Sequence, residues 1–125
     1  MPATGSGLLW ISHGYFYIWA TMTEVTTFET PAPHSGEHLR EDFMPEYGLT
    51  PGALARATGL KDRTRIERLV REKQPVAADT ALRLARVFGD SAQFWISLQA
   101  THDLSVAAIA ARDELAAIPK LESAG

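Results

Sequence analysis

The chain has 125 residues, 46% of them hydrophobic and 22% charged, with a formal net charge of −3. That is one domain's worth of ordinary globular sequence, which excludes wholesale disorder and leaves little room for a second core. The absence of cysteine excludes a disulfide scaffold, thiol catalysis and cysteine-ligated zinc, and fits a reducing compartment.

Residues 1–33 carry no Lys or Arg and a net charge of −2. Within them, residues 8–20 hold Trp10, Tyr15, Phe16, Tyr17 and Trp19, five of the chain's 11 aromatics (three Trp, three Tyr, five Phe). Nothing before Leu8 is basic, as a secretory leader requires. The run is also too short to span a bilayer and is broken by Ser12, His13 and Gly14. No signal peptide and no membrane span is read. A segment so strand-like and sticky must pack on something or be disordered, or else translation starts at Met22.

From Thr30 the pattern becomes helical. Pro31 and Pro33 make an extended lead-in. Ser35 is read as the N-cap of a helix running to about Met44. Leu39, Phe43 and Met44 form its apolar side, and Pro45 and Gly48 end it. Thr50-Pro51 signals a second start, a cap followed by proline at the first helical position, and that helix stops at Gly59. A third helix from about Asp62 to Arg71 places Ile66, Leu69 and Val70 on one stripe. A fourth, about Ala78 to Phe88, turns Ala81, Leu84, Ala85 and Phe88 inward and ends at Gly89. Ser91 caps a fifth, with Phe94, Trp95 and Leu98 on one face. Its stripe then continues through Leu104, Ala108, Ala111, Leu115 and Ile118 until Pro119. No strand pattern follows residue 30, so the predicted body is all-α.

Charge is concentrated in one place. Residues 56–73 hold seven basic and three acidic residues, net +4, whereas residues 34–55 are net −3 and residues 87–125 net −3. Such a block suits a phosphate-binding footprint, and equally a solvated helix face. Spacing adds a second signal. Ala55 stands four residues before Gly59, and Ile66 follows after a short turn. A helix-turn-helix needs a small residue at the crossing, a glycine in the turn and an apolar residue seating the second helix. Opposite the stripe of the third helix lie Thr64, Arg68 and Arg71, a face suited to a major groove. The alternative is a salt-bridged solvent face with Glu67 and Glu72 as local partners.

Four stretches carry a resemblance. They are residues 34–41 (His34-Ser35-Gly36-Glu37-His38-Leu39-Arg40-Glu41), 54–59 (Leu54-Ala55-Arg56-Ala57-Thr58-Gly59), 78–85 (Ala78-Asp79-Thr80-Ala81-Leu82-Arg83-Leu84-Ala85) and 94–99 (Phe94-Trp95-Ile96-Ser97-Leu98-Gln99). In that order and near that spacing they resemble the HigA-type antitoxins of bacterial toxin–antitoxin modules, within the Cro/repressor-like helix-turn-helix class. The resemblance covers residues 33–104. It implies a five-helix Cro/repressor-like domain over residues 34–118 with an extended C-terminal helix, preceded by an extension, 1–33, and followed by a tail, 119–125. It also implies a cytoplasmic homodimer, on the nucleoid when bound, that occupies operator DNA in its own promoter, represses its operon and neutralises a HigB-type mRNA-cleaving toxin. Two departures stand out. The turn Lys61–Arg65 is one residue longer than the commonest family pattern, and Glu72 stands where many members have glycine. Residues 1–30 have no family counterpart.

On this reading Arg63, Thr64, Arg65 and Arg68 are expected to read bases, and Thr50, Lys61, Arg71 and Lys73 to hold phosphates. Phe94, Trp95, Leu98 and Leu104 are expected at the dimer interface, with core packing as the alternative for Phe94 and Trp95. Arg83 and Arg86 suit phosphate contacts or a solvated face. No enzyme activity, cofactor or metal is expected. Two other readings exist. One is a stand-alone repressor of the same fold without a toxin. The other is a zinc hydrolase, because His34, Glu37 and His38 match H-x-x-E-H; that motif needs both histidines on one face of a continuous helix.

Overall fold

A computed structural model describes residues 28–124. The aromatic segment at residues 8–20 and Met22 lie outside the described residues. Among those described there is no strand, and they divide into two compact units, one of them Pro33–Asp103 and the other formed from residues 28–32 with 104–124.

The first helix, α1, covers residues 35–47 in three parts: Ser35–His38, a widened π turn over Leu39–Phe43, and Met44–Tyr47. Its cap is His34 rather than the expected Ser35. The imidazole Nδ1 accepts the Gly36 N–H at 2.9 Å, as a neutral ring can. The buried Ser35 hydroxyl instead donates to Gln99 Oε1 at 2.5 Å. Pro45 does not end the helix either. Proline has no N–H, and its ring would strike the carbonyl four residues back in a regular α-helix. The π turn opens that space, with the Met44 N–H reaching the Leu39 carbonyl five residues back. The helix ends three residues later at Gly48, φ 62°.

The second helix, α2, is Pro51–Ala57, with Thr50 Oγ1 accepting the Ala53 N–H at 3.1 Å. The third, α3, is Thr64–Val70, shorter at both ends than expected, and buries Ile66, Leu69 and Val70. Ala78–Phe88 forms α4, with Thr80, Ala81 and Leu84 buried. The fifth helix, α5, is Ala92–Ala110, started by Ser91 Oγ accepting the Phe94 N–H at 3.0 Å. The expected single helix to Ile118 is broken. Ala111 leaves the helical region (φ −109°, ψ 22°), and a sixth short helix, α6, covers Arg112–Ala116. Leu115 and Ile118 are exposed, so the stripe that predicted one long helix does not pack as one.

Within Pro33–Asp103 the core gathers around Trp95, which is fully buried. Phe43 lies 4.9 Å from its ring centre and 5.0 Å from that of Phe88, and the indole N–H donates to Asp90 Oδ1 at 3.0 Å. Burial raises the Asp90 carboxyl pKa, and the indole hydrogen bond works against that. The buried Gln99 joins three segments: its Oε1 accepts from Ser35 and from the Val76 N–H at 3.2 Å, and its Nε2 donates to Asp103 at 3.0 Å. In the other unit, Ser105 Oγ accepts the Ala32 N–H and Arg112 donates to the Phe28 carbonyl, each at 2.8 Å.

Candidate nucleic-acid interface

Helices α2 and α3 meet as the spacing predicted. Ala55 is buried at 2% exposure, and the turn closes at Gly59, φ 78°. Beyond it, Asp62 Oδ1 accepts the Thr64 N–H at 2.9 Å and starts α3; that hydrogen bond holds the Asp62 carboxyl below its ordinary pKa. With Ile66, Leu69 and Val70 buried, α3 turns Thr64, Arg68 and the following Arg71 to the exposed side.

The far end of α3 rests on α1. A Cβ on Gly36 would fall 1.8 Å from the Leu69 carbonyl oxygen, so only glycine lets the two backbones approach this closely. Arg40 of α1 donates through Nη1 to the Val70 carbonyl and to Glu72 Oε2, the latter at 3.2 Å.

The expected contact residues divide by what they already touch. Arg63 pairs with Glu67 at 3.0 Å. Arg65 pairs with Asp79 of α4 at 2.5 Å, and Asp79 also holds Arg83 at 2.9 Å. The hydrogen bonds from Arg65 and then Arg83 hold the Asp79 carboxyl below its ordinary pKa. Arg83 also donates to the Thr58 carbonyl at 2.7 Å, so it is a brace across α2 and α4 rather than a solvated side chain. Thr50 Oγ1 is engaged as the α2 cap. Lys61, Arg68, Arg71 and Lys73 are exposed and have no ion-pair partner among the described residues.

Sequence reasoning missed Asp79, Arg40 and the role of Glu72. The Asp79–Arg83 spacing of four on one helix was a readable signal. The Arg65–Asp79 and Arg40–Glu72 pairs join different helices and left none.

The four residues expected at a dimer interface also divide. Trp95 and Leu98 are buried within the single chain, at 0% and 2% exposure, which corrects their placement at a partner surface. Phe94 is half-buried and Leu104 exposed.

The H-x-x-E-H reading loses its geometry. His34 sits outside α1 in extended conformation (φ −70°, ψ 148°) with Nδ1 committed to Gly36, and His38 Nδ1 lies 3.1 Å from Asp42. The two rings do not share a helical face. Among the described residues no three His, Asp or Glu side chains converge where a metal could be held, and no helix is long and apolar enough to cross a membrane.

No family model matches the chain. A solved structure of Pseudomonas aeruginosa antitoxin HigA with higBA promoter superposes with a TM-score of 0.68 at 38% identity, covering 73% of this chain and 99% of that one. Virulence-associated protein I of Dichelobacter nodosus is 47% identical over 79 residues, 63% of this chain and 72% of its own length. Antitoxin HigA-1 of Vibrio cholerae is 33% identical over 69 residues, 55% and 64% of the two chains.

Proposed function

The chain belongs to the HigA family of antitoxins, and from that membership we propose that it binds operator DNA in its own promoter, represses its own operon, and neutralises a HigB-type mRNA-cleaving toxin. The observation that carries the DNA reading is α3 itself: one side is buried through Ile66, Leu69 and Val70, and the exposed side offers Arg68, followed past the helix end by the exposed Arg71 and Lys73, all three without ion-pair partners among the described residues. A helix seated in this way can enter a major groove, where an Arg can bond guanine bidentately.

In this reading Arg68 and Thr64 meet base edges, and Lys61, Arg71 and Lys73 meet phosphates. Arg63 and Arg65 stand on the same helix but must exchange a carboxylate for DNA. Thr50 fixes the start of α2 by accepting the Ala53 N–H on its hydroxyl oxygen, and the same hydroxyl keeps its O–H to donate to a phosphate. The protein works as a homodimer, because two copies set one DNA turn apart read a longer site than one helix can. Phe94 and Leu104 are its candidate contacts. Its action is non-enzymatic and cytoplasmic, on the nucleoid when the operator is occupied.

The test is a fluorescence-anisotropy titration with the duplex upstream of the protein's own gene and a scrambled duplex of equal length. Preference for the upstream duplex supports the reading, and equal binding overturns it. Co-purification of a small basic ribonuclease encoded by the adjacent gene supports the antitoxin role. Failure of that product to bind leaves a stand-alone repressor.

A further inference from the structure

Helices α1, α2 and α4 each end on a glycine in the left-handed region: Gly48, Gly59 and Gly89, with φ of 62°, 78° and 74°. Helix α3 ends on Glu72, φ 60°, the one non-glycine residue with positive φ among the described residues. The backbone bonds are otherwise alike. After α2, the Leu60 N–H reaches the Ala55 carbonyl at 2.8 Å and the Gly59 N–H reaches that of Arg56 at 3.0 Å. After α3, the Lys73 N–H reaches the Arg68 carbonyl at 2.8 Å and the Glu72 N–H that of Leu69 at 2.9 Å. This double-bonded helix end favours glycine, yet the chain carries a long acidic side chain there.

That side chain is engaged. Glu72 Oε2 meets Arg40 Nη1 at 3.2 Å, and the same nitrogen donates to the Val70 carbonyl in the last turn of α3. Arg40 Nε is held in turn by Glu41 at 2.8 Å. An ion pair this exposed adds little stability, no more than a left-handed backbone costs a residue with a Cβ. Stability therefore does not account for glutamate over glycine at position 72. The geometric consequence is distinct: the pair ties the end of α3 to the middle of α1 directly beside Arg71 and one turn from Arg68.

We propose that Glu72 and Arg40 form a positioning pair for DNA recognition, fixing the last turn of α3 and with it the direction in which Arg68 and Arg71 leave the helix. The proposal rests on the DNA reading above. It also assigns the pair a cost. A carboxylate among Arg68, Arg71 and Lys73 lowers the general attraction for phosphate, so non-specific affinity is given up for a fixed orientation.

The experiment compares wild type with Glu72→Gly, Glu72→Gln, Arg40→Ala and the double variant Arg40→Ala/Glu72→Gln, each titrated against the upstream and scrambled duplexes and each melted thermally. Glu72→Gly puts the backbone at ease, so its melting temperature holds or rises. The ratio of specific to non-specific affinity is expected to fall about three- to tenfold in both Glu72 variants, while scrambled-duplex affinity holds or rises. Arg40→Ala, which also removes the bond to the Val70 carbonyl, should lower the ratio at least as far, and the double variant no further than Arg40→Ala alone. An unchanged ratio in Glu72→Gly and Glu72→Gln overturns the proposal. So does an equal rise on both duplexes, which would make Glu72 only a repulsive charge. A wild type without preference for the upstream duplex overturns the DNA reading and this proposal together, whereas a wild-type preference with unchanged variants overturns the positioning pair alone.

Discussion

At the start of α3, Arg63 pairs with Glu67 and Arg65 with Asp79; past its middle, Arg68, Arg71 and Lys73 have no ion-pair partner among the described residues. In the sequence these are five similar cations within one basic block. In the structure the first two belong to the frame and the last three are available. The difference teaches that net charge along a recognition helix says less than which cations are already neutralised. A carboxylate-bound guanidinium must give up or share that partner before it can serve a phosphate or a base.

The comparison breaks most completely if the shared frame goes. Trp95→Ala empties a fully buried site and should cost ~3–5 kcal/mol of stability in denaturant unfolding, with DNA binding by both ends of α3 lost together. An unchanged unfolding midpoint would mean that Trp95 is not the centre of the core. Arg68→Ala isolates the available end. Promoter binding should weaken by ~1–3 kcal/mol while the unfolding midpoint stays in place.

Acid should act on the same end through α1. His34 caps α1 with an unprotonated nitrogen, and burial first, then the neighbouring His102, push its pKa below the ordinary 6.5. The unfolded chain therefore takes up a proton more readily than the folded one. The cap's contribution, ~1 kcal/mol for a good N-cap, is complete above the unfolded value and is lost as pH falls through the depressed folded value. Amide exchange should loosen around Gly36 and Leu69 at acid pH before it loosens around Asp79. Uniform loosening would remove His34 from the account. The smallest effect is expected at the bonded end: Arg63→Ala should cost ~0.2–0.5 kcal/mol of stability and lower promoter affinity less than Arg68→Ala does. Equal losses in affinity from the two substitutions would erase the distinction.

Where a structural cue is local, the sequence shows it. Thr50-Pro51 and Ser91 mark helix starts, Gly48, Gly59 and Gly89 mark ends, and Ile66, Leu69 and Val70 face the core as their spacing requires. The exceptions share a cause. His34 caps a helix only through the protonation state of its ring, which no residue pattern announces. Ala111 is a good helix former at a break. Glu72 occupies a conformation its residue type disfavours, and its partner is 32 positions away. Phe94 and Trp95 are neighbours of similar character, and only packing decides that one is buried and the other half-buried. The basic block was legible as a quantity. Its division into bonded and available cations depends on Glu67, a local partner that the spacing of four offers to Arg63, and on Asp79, which comes from another helix and leaves no local signal.

The widened turn over Leu39–Phe43 means that α1 accommodates one residue more than a regular helix of the same span. Deleting a single residue there would restore ordinary pairing and drive the Pro45 ring into the carbonyl four places before it. The same deletion made together with Pro45→Ala would leave a straight, fully bonded helix. In descendants of this gene, a one-residue loss in this turn can therefore persist only where Pro45 has also been replaced.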